Sequence, residues 1–390
     1  MMQTTIDAGR ELWDVLVIGA GPAGAFVARE LSRCGMKTLL VESKSFPRDK
    51  VCGGCINGRA LAMLRSAGLG TLCEDLGGKK LSSVELRSGS QELHIPLPTG
   101  VAVSRRAMDL ALVQEAIREG VEFLPETKAT VIPKTDFCCR HVLLRRRDFD
   151  PIPARCKVVL ACDGLNHPSL RQLPLFHSCV APRARVGIGG IFKCDSCSYP
   201  EERIVMAVGR HGYVGITHVE NGQLNVAAAV DTKIVHEFGM REAVIQLLQN
   251  ANIPVAESMH RIPLHGTPLL TRHTPNLAEE RLFLLGDAAG YVEPFTGEGI
   301  TMAWSGALRL VPLVVKAVAC WNPGLVTQWQ QKYHHAIAKR LRICRALTLL
   351  IRHPWAVRAT LAVFSACPGL CIPIVGRINN TSFDLKVSKS

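Results

Sequence analysis

The sequence predicts an α/β protein in three parts: a parallel-strand nucleotide-binding domain assembled from separated stretches, a lobe of antiparallel sheet, and a helical C-terminal tail. Three observations lead there. An apolar run near the start stops at a glycine-rich turn and gives way to a helix and a second apolar strand. A comparable strand ends at Gly286-Asp287, about 260 residues further on. Between them, roughly from 184 to 264, apolar and polar residues alternate in short runs as antiparallel strands do. With 390 residues, 47% hydrophobic and 20% charged, the chain has enough apolar material for two packed units.

Taken in order, Asp14 to Ile18 reads as a buried parallel strand because its apolar run is continuous. Pro22 to Cys34 has helical spacing, with Ala25, Ala28 and Leu31 on one face, and Lys37 to Val41 is the next buried strand. Lys79 to Leu97 alternates like sheet, and Ser104 to Gly120 reads as a helix, with Leu110, Val113 and Ile117 helically spaced. Val158 to Leu160 is a strand running into Asp163-Gly164. Arg185–Phe192, Arg203–Val208, Tyr213–His218 and Leu224–Val230 form the antiparallel lobe, interrupted by a helix from Arg241 to Gln249. Arg281 to Leu285 is again a buried strand, and a long helix follows Gly297.

Gly19-Ala20-Gly21-Pro22-Ala23-Gly24 spells G-x-G-x-x-G between the first strand and helix. The first glycine permits the turn, the second admits a pyrophosphate to the backbone, and the third lets the helix lie against the strand. The helix N-terminus offers free N–H groups and a positive dipole end to phosphates. Glu42, eighteen residues past Gly24, ends the next strand where a carboxylate meets the adenosine ribose. The arrangement is a Rossmann-like dinucleotide site, which by itself does not separate FAD from NAD.

The second site makes that separation. Leu284-Leu285-Gly286-Asp287-Ala288-Ala289-Gly290 and Pro294-Phe295-Thr296-Gly297-Glu298-Gly299-Ile300 resemble segments of the flavoprotein superfamily of para-hydroxybenzoate hydroxylase and the geranylgeranyl reductases. The resemblance implies FAD as cofactor, with Asp287 on the ribityl chain and Pro294 near the flavin ring. It also implies that the backbone around Gly297, Gly299 and Ile300 faces the ring's pyrimidine edge. Arg105, four residues before Asp109, matches an arginine near the FAD phosphates, and Asp163-Gly164 matches an internal aspartate-glycine fingerprint. Phe46-Pro47-Arg48-Asp49-Lys50-Val51-Cys52-Gly53-Gly54 is similar to the geranylgeranyl-reductase branch and places Cys52 in the flavin environment. Gly212-Tyr213 shares only the start of that branch's aromatic substrate stretch, so the substrate is left open. No W-x-W-x-I-P motif of the halogenases occurs.

Other motifs read more plainly. Cys52-Gly53-Gly54-Cys55 and Cys194-Asp195-Ser196-Cys197 each spell C-x-x-C, but 139 residues separate them, so packing thiols are favoured over zinc and no metal is expected. Gly187-Ile188-Gly189-Gly190 lacks the third glycine of a second nucleotide turn. The reducing power is therefore expected from transiently docked NAD(P)H or a partner reductase. His211, His218 and His265 lack metal-ligand spacing. A net charge of +13 admits an acidic partner, yet no nucleic-acid-binding motif accompanies it. Met1 to Arg10 lacks the pattern of a signal peptide, and fifteen cysteines suit a reducing cytosol. Ala359 to Gly376 carries no charge, is broken by Pro368, Gly369 and Pro373, and is approached by Arg345, Arg352 and Arg358. Two readings stand for this tail: peripheral contact with the inner face of a membrane, or packing across the substrate lobe.

The expectation is then an FAD-binding domain from 1–78, 101–180 and 270–340, a substrate lobe from 79–100 and 181–269, and a helical tail from 341–390. Its expected function is FAD-dependent oxidation or reduction of a hydrophobic small molecule. An aromatic hydroxylase and a flavin electron carrier without an organic substrate are the alternatives.

Overall fold

A computed structural model of the chain describes residues 8–9, 11–136, 138–193, 199–367 and 369. The Cys194–Cys197 motif and the tail beyond 367, apart from Gly369, lie outside the described residues.

The first sheet is parallel at its centre. Leu282–Leu284, Ile152–Ala161, Leu12–Ile18, Thr38–Val41 and Glu122–Leu124 lie side by side in that order. Their continuous apolar runs follow from burial on both faces. Pro22–Arg33 packs against the 21-residue helix Gly299–Ala319. Phe26 stacks on Trp304 at 5.6 Å, and the Trp304 indole donates to the Pro22 carbonyl at 3.1 Å. One helix among the described residues, Gly299–Ala319, is long and apolar enough to cross a membrane; it is also the central core helix.

The strand expected at Val158–Leu160 is longer, Ile152–Ala161. An antiparallel hairpin, Thr127–Asp136 and Cys139–Arg146, extends its N-terminal half. That hairpin went unread because its outer residues are too polar to show a two-residue period.

The second sheet has seven strands, ordered His265–Leu269, Val186–Lys193, Gln223–Val230, Gly212–Val219, Arg203–Gly209, Ser83–Ser88 and Gln91–Pro96. Its two faces have different partners. Val205 and Ala207 point to a cluster with Ala243 and Leu247 of helix Thr232–Gln249, while Ile204, Met206 and Val208 line a cavity. The helix expected at Arg241–Gln249 begins earlier, at Thr232, and breaks at Gly239, whose φ is +82°.

The described part of the tail packs across the substrate lobe with one of its faces. Lys339–Ile351 and Pro354–Ala366 are helices laid over the cavity side of this sheet. Ile351, Val357 and Leu361 are buried there with Leu93, Val208 and Tyr213. Arg352, expected among the exposed basic residues, instead turns inward and donates to Glu293 at 2.5 Å.

Candidate active site

The glycine turn is shaped by close approach. A Cβ on Gly24 would lie 1.8 Å from the Gly19 carbonyl oxygen, so only glycine lets helix and strand meet. Gly19 has φ +98°, and a Cβ there would strike the Cys162 carbonyl at 2.5 Å. Above Gly21 the space is open and bordered by guanidinium groups. A Cβ on Gly21 would be 3.6 Å from both Arg48 and Arg105. Both arginines are held by Asp109, which is fully buried. Arg105 binds it with two bonds of 2.8 Å, and Arg48 approaches it at 3.2 Å. Burial works against the Arg105 charge, but Asp109 outweighs it and holds the guanidinium above its ordinary range. Two cations thus sit beside free helix N–H groups, an arrangement suited to a diphosphate.

Glu42 closes the second strand. Its Oε2 accepts from the Ala20 amide at 3.1 Å, and its Oε1 accepts from Ser43 and Lys44. Those bonds fix the carboxylate at the far end of the turn. Asp163 lies under the turn: a Cβ on Gly19 would come within 2.8 Å of its Cα. One Asp163 oxygen accepts from the Ser169 amide at 2.8 Å, and the other is buried without a protein partner. Burial pushes this carboxyl up to about 6, opposed by the Ser169 hydrogen bonds.

The second segment comes to the same place. Gly286 nestles on Ala23, where a Cβ would approach the Ala23 methyl at 2.8 Å, which accounts for two small residues 263 positions apart. Burial raises the Asp287 carboxyl, opposed by Lys50 and Arg105. Lys50 lines the cavity and is open to it. Desolvation, followed by Arg105, lowers its ammonium, while Asp287 opposes the shift. Beyond Pro294 the chain turns at Gly297 and begins the long helix at Gly299, leaving the first amides of that helix free toward the cavity.

These segments border one cavity of about 990 Å³. Gly19, Gly21, Ala23, Glu42, Cys52, Arg105, Asp163, Gly286, Asp287, Pro294, Gly297, Gly299 and Ile300 all line it. Gly24 does not, because it sits beneath the turn as the helix–strand contact. Sequence reasoning passed over Arg48, Lys50 and Asn57 as ligands. Arg48 and Lys50 stand in the F-P-R-x-K stretch, which was the available signal. The Asn57 amide nitrogen is buried without a partner in the cavity wall.

Cys52 lies in a loop tied to the second sheet, where Asn225 donates to its carbonyl at 2.9 Å. The Cys55 thiol is pushed up to about 12, chiefly by burial, and so remains a packed thiol. Among the described residues His211 pairs with Asp231, His218 bonds the Tyr199 carbonyl, and His265 is exposed. Gly187–Gly190 lies within the strand Val186–Lys193, as expected.

The far half of the cavity is different in kind. Its walls are Leu86, Leu93, Ile95, Met206 and Val208 from the sheet, and Ile351, Val357, Leu361 and Phe364 from the last two helices. Tyr213 supplies one polar group. Its ring meets Phe295 edge-on at 5.2 Å, and its buried hydroxyl has no partner in the protein. Burial, with Glu293 nearby, holds that hydroxyl well above 10, so it stays a neutral donor.

The structure fits FAD on its own observations. The open space over Gly21 faces two arginines, Asp163 and Asn57 carry orphaned polar atoms, and the helix from Gly299 offers unbonded amides. Comparison with known proteins agrees. A family model described as an FAD binding domain matches residues 13–319. A menaquinone reductase from Mycobacterium tuberculosis is 28% identical over 360 residues, covering 87% of this chain and 84% of that protein. A digeranylgeranylglycerophospholipid reductase from Methanosarcina acetivorans is 27% identical over 323 residues, covering 75% and 73%. Conditioned medium factor receptor 1 of Dictyostelium discoideum is 26% identical over 334 residues, or 78% of this chain but 63% of that longer protein. Among solved structures, a flavoprotein/dehydrogenase from Cytophaga hutchinsonii superposes with TM-score 0.76 at 19% identity, covering 88% and 86%. That last likeness concerns the fold.

Proposed function

The chain belongs to the FAD-binding-domain family of oxidoreductases, and from that premise we propose that it oxidises or reduces a long, mostly apolar small molecule, in the manner of geranylgeranyl-reductase-like flavoproteins. The observation that carries this reading is the apolar half of the cavity, continuous with the flavin half and walled by aliphatic side chains from both sheet and tail helices. The enclosed chamber speaks for an organic substrate and against a bare electron carrier. The names of the menaquinone and digeranylgeranylglycerophospholipid reductases support the same substrate class.

FAD, when bound, supplies the two-electron redox chemistry. The protein's part is to hold and shield it. Arg48 and Arg105 would neutralise the diphosphate, and Glu42 would engage the ribose. Asp287 would anchor the ribityl chain, and Lys50 would sit between it and Gly164. The free amides at the start of Gly299–Ala319 would stabilise negative charge at the ring's pyrimidine edge. Tyr213 would donate to the one polar group of an otherwise apolar substrate. Electrons would come from transiently docked NAD(P)H or a partner reductase.

The test is anaerobic. The FAD-loaded protein is mixed with NADPH or NADH, and bleaching is followed at the flavin band. A polyprenyl compound or a menaquinone is then added without oxygen. Recovery of the oxidised spectrum with a saturated or reduced product supports the proposal. Recovery only on admitting oxygen, with a hydroxylated product, would replace it by the hydroxylase reading.

A further inference from the structure

The two C-terminal helices have unlike faces. Inward, Leu341, Cys344 and Ile351 on one helix and Val357 and Leu361 on the other are buried. Outward, Ile343, Leu349, Trp355 and Val363 are exposed by 52%, 61%, 71% and 52%. Exposed aliphatic and tryptophan side chains gathered on two neighbouring helices form the kind of apolar surface that marks a contact site.

The charges that the C-terminal helices themselves carry all have one sign. From Gly299 to Phe383 the sequence has no aspartate or glutamate, against ten lysines and arginines. Two of the arginines in the helices are used internally: Arg340 binds Glu298 at 2.7 and 2.8 Å, and Arg352 binds Glu293. Lys339, Arg342 and Arg358 remain exposed and form no ion pair among the described residues. Basic side chains beside an exposed apolar strip with a tryptophan match the headgroup-to-acyl boundary of an anionic bilayer.

The surface also adjoins the cavity. Leu350 is 39% exposed and lines the cavity, and Phe364 lines it while half-buried. The wall of the chamber and the outward face are therefore the same pair of helices.

We propose that the outward face of residues 339–366 seats the protein on an anionic lipid surface and sets the chamber's mouth, at Leu350 and Phe364, against the acyl layer. An apolar substrate would then enter from the bilayer without crossing water.

The probe is substrate-free vesicles, so the result does not depend on which reaction the flavin performs. Full-length, FAD-loaded protein is sedimented with phosphatidylcholine vesicles, with and without phosphatidylglycerol, at low and high salt. The proposal expects binding to the anionic vesicles that falls as salt rises. Arg342→Glu with Arg358→Glu, and separately Leu349→Ser with Trp355→Ser, should each reduce the bound fraction about tenfold or more. FAD content and melting temperature should stay at the parent's values, since none of these side chains lines the cavity. Brominated acyl chains should quench the parent's fluorescence more than that of Trp355→Phe. Negligible binding to either vesicle, unaltered binding of both double variants, or protein released only by detergent would each overturn the proposal.

Discussion

The two halves of the cavity are built by opposite means. The flavin half is built from backbone and charge: a turn that admits no Cβ at Gly24, two arginines on one buried aspartate, and helix amides left open. The substrate half is built from aliphatic side chains contributed by strands near 90 and 206 and by helices near 351 and 361. The first kind of site tolerates almost no substitution, because geometry and charge are fixed atom by atom. The second tolerates many, because an apolar wall asks only for volume and hydrophobicity.

The comparison can be broken most severely at Gly24. Gly24→Val should leave no FAD on the purified protein and lower its melting temperature, because the new side chain cannot share space with the Gly19 carbonyl. Chromatography of released cofactor and a thermal melt decide it; a yellow, stable variant would show that the turn is not the binding element. Next comes Asp287→Ala, which should keep the fold while weakening FAD about tenfold to a hundredfold, the worth of a hydrogen bond to a charged group. Titration of the apo-protein with FAD reads this directly, and an unchanged Kd would remove Asp287 from the site.

The substrate half should respond the other way round. Met206→Trp fills the chamber from the sheet side, so FAD content should hold while kcat/KM for a long-chain acceptor falls about tenfold. Loss of FAD in that variant would mean the two halves are not separable. The smallest effect is expected at Tyr213→Phe. Removing a buried hydroxyl that has no protein partner should leave stability unchanged or raise it by about 1 kcal/mol. Denaturant unfolding would expose a hidden partner as a drop of that size instead.

The same contrast explains what could be read in advance. The glycine turn, Glu42, Arg105 and Asp287 stood out in the sequence because each sits at a strand end, where local pattern fixes position. Their convergence on one cavity follows from parallel pairing of Ile152–Ala161 with both Leu12–Ile18 and Leu282–Leu284. Arg48 and Lys50 were quoted as a family resemblance but not as ligands, since a loop gives no register from which to aim a side chain. The chamber was not legible at all. Leu93, Met206 and Leu361 are each ordinary apolar residues, and only long-range packing makes them one wall. The tail's apolar run suited a membrane or a core equally well. The structure gives its described inner face to the core, and Arg352, counted as exposed, is consumed by Glu293.

The two inward arginines of the C-terminal helices also set a condition on recombination. Glu293 and Glu298 flank the loop that carries Pro294 and Gly297, and both are almost fully buried against Arg352 and Arg340. A chimera that exchanged residues 339–366 for a relative's helices without their arginines would leave Glu293 to Arg185 alone and take from Glu298 its Arg340 bonds, destabilising the loop beside the flavin half. The helices and the loop are thus coupled by charge, and a graft of the helices keeps the loop's carboxylates paired only if it brings both arginines along.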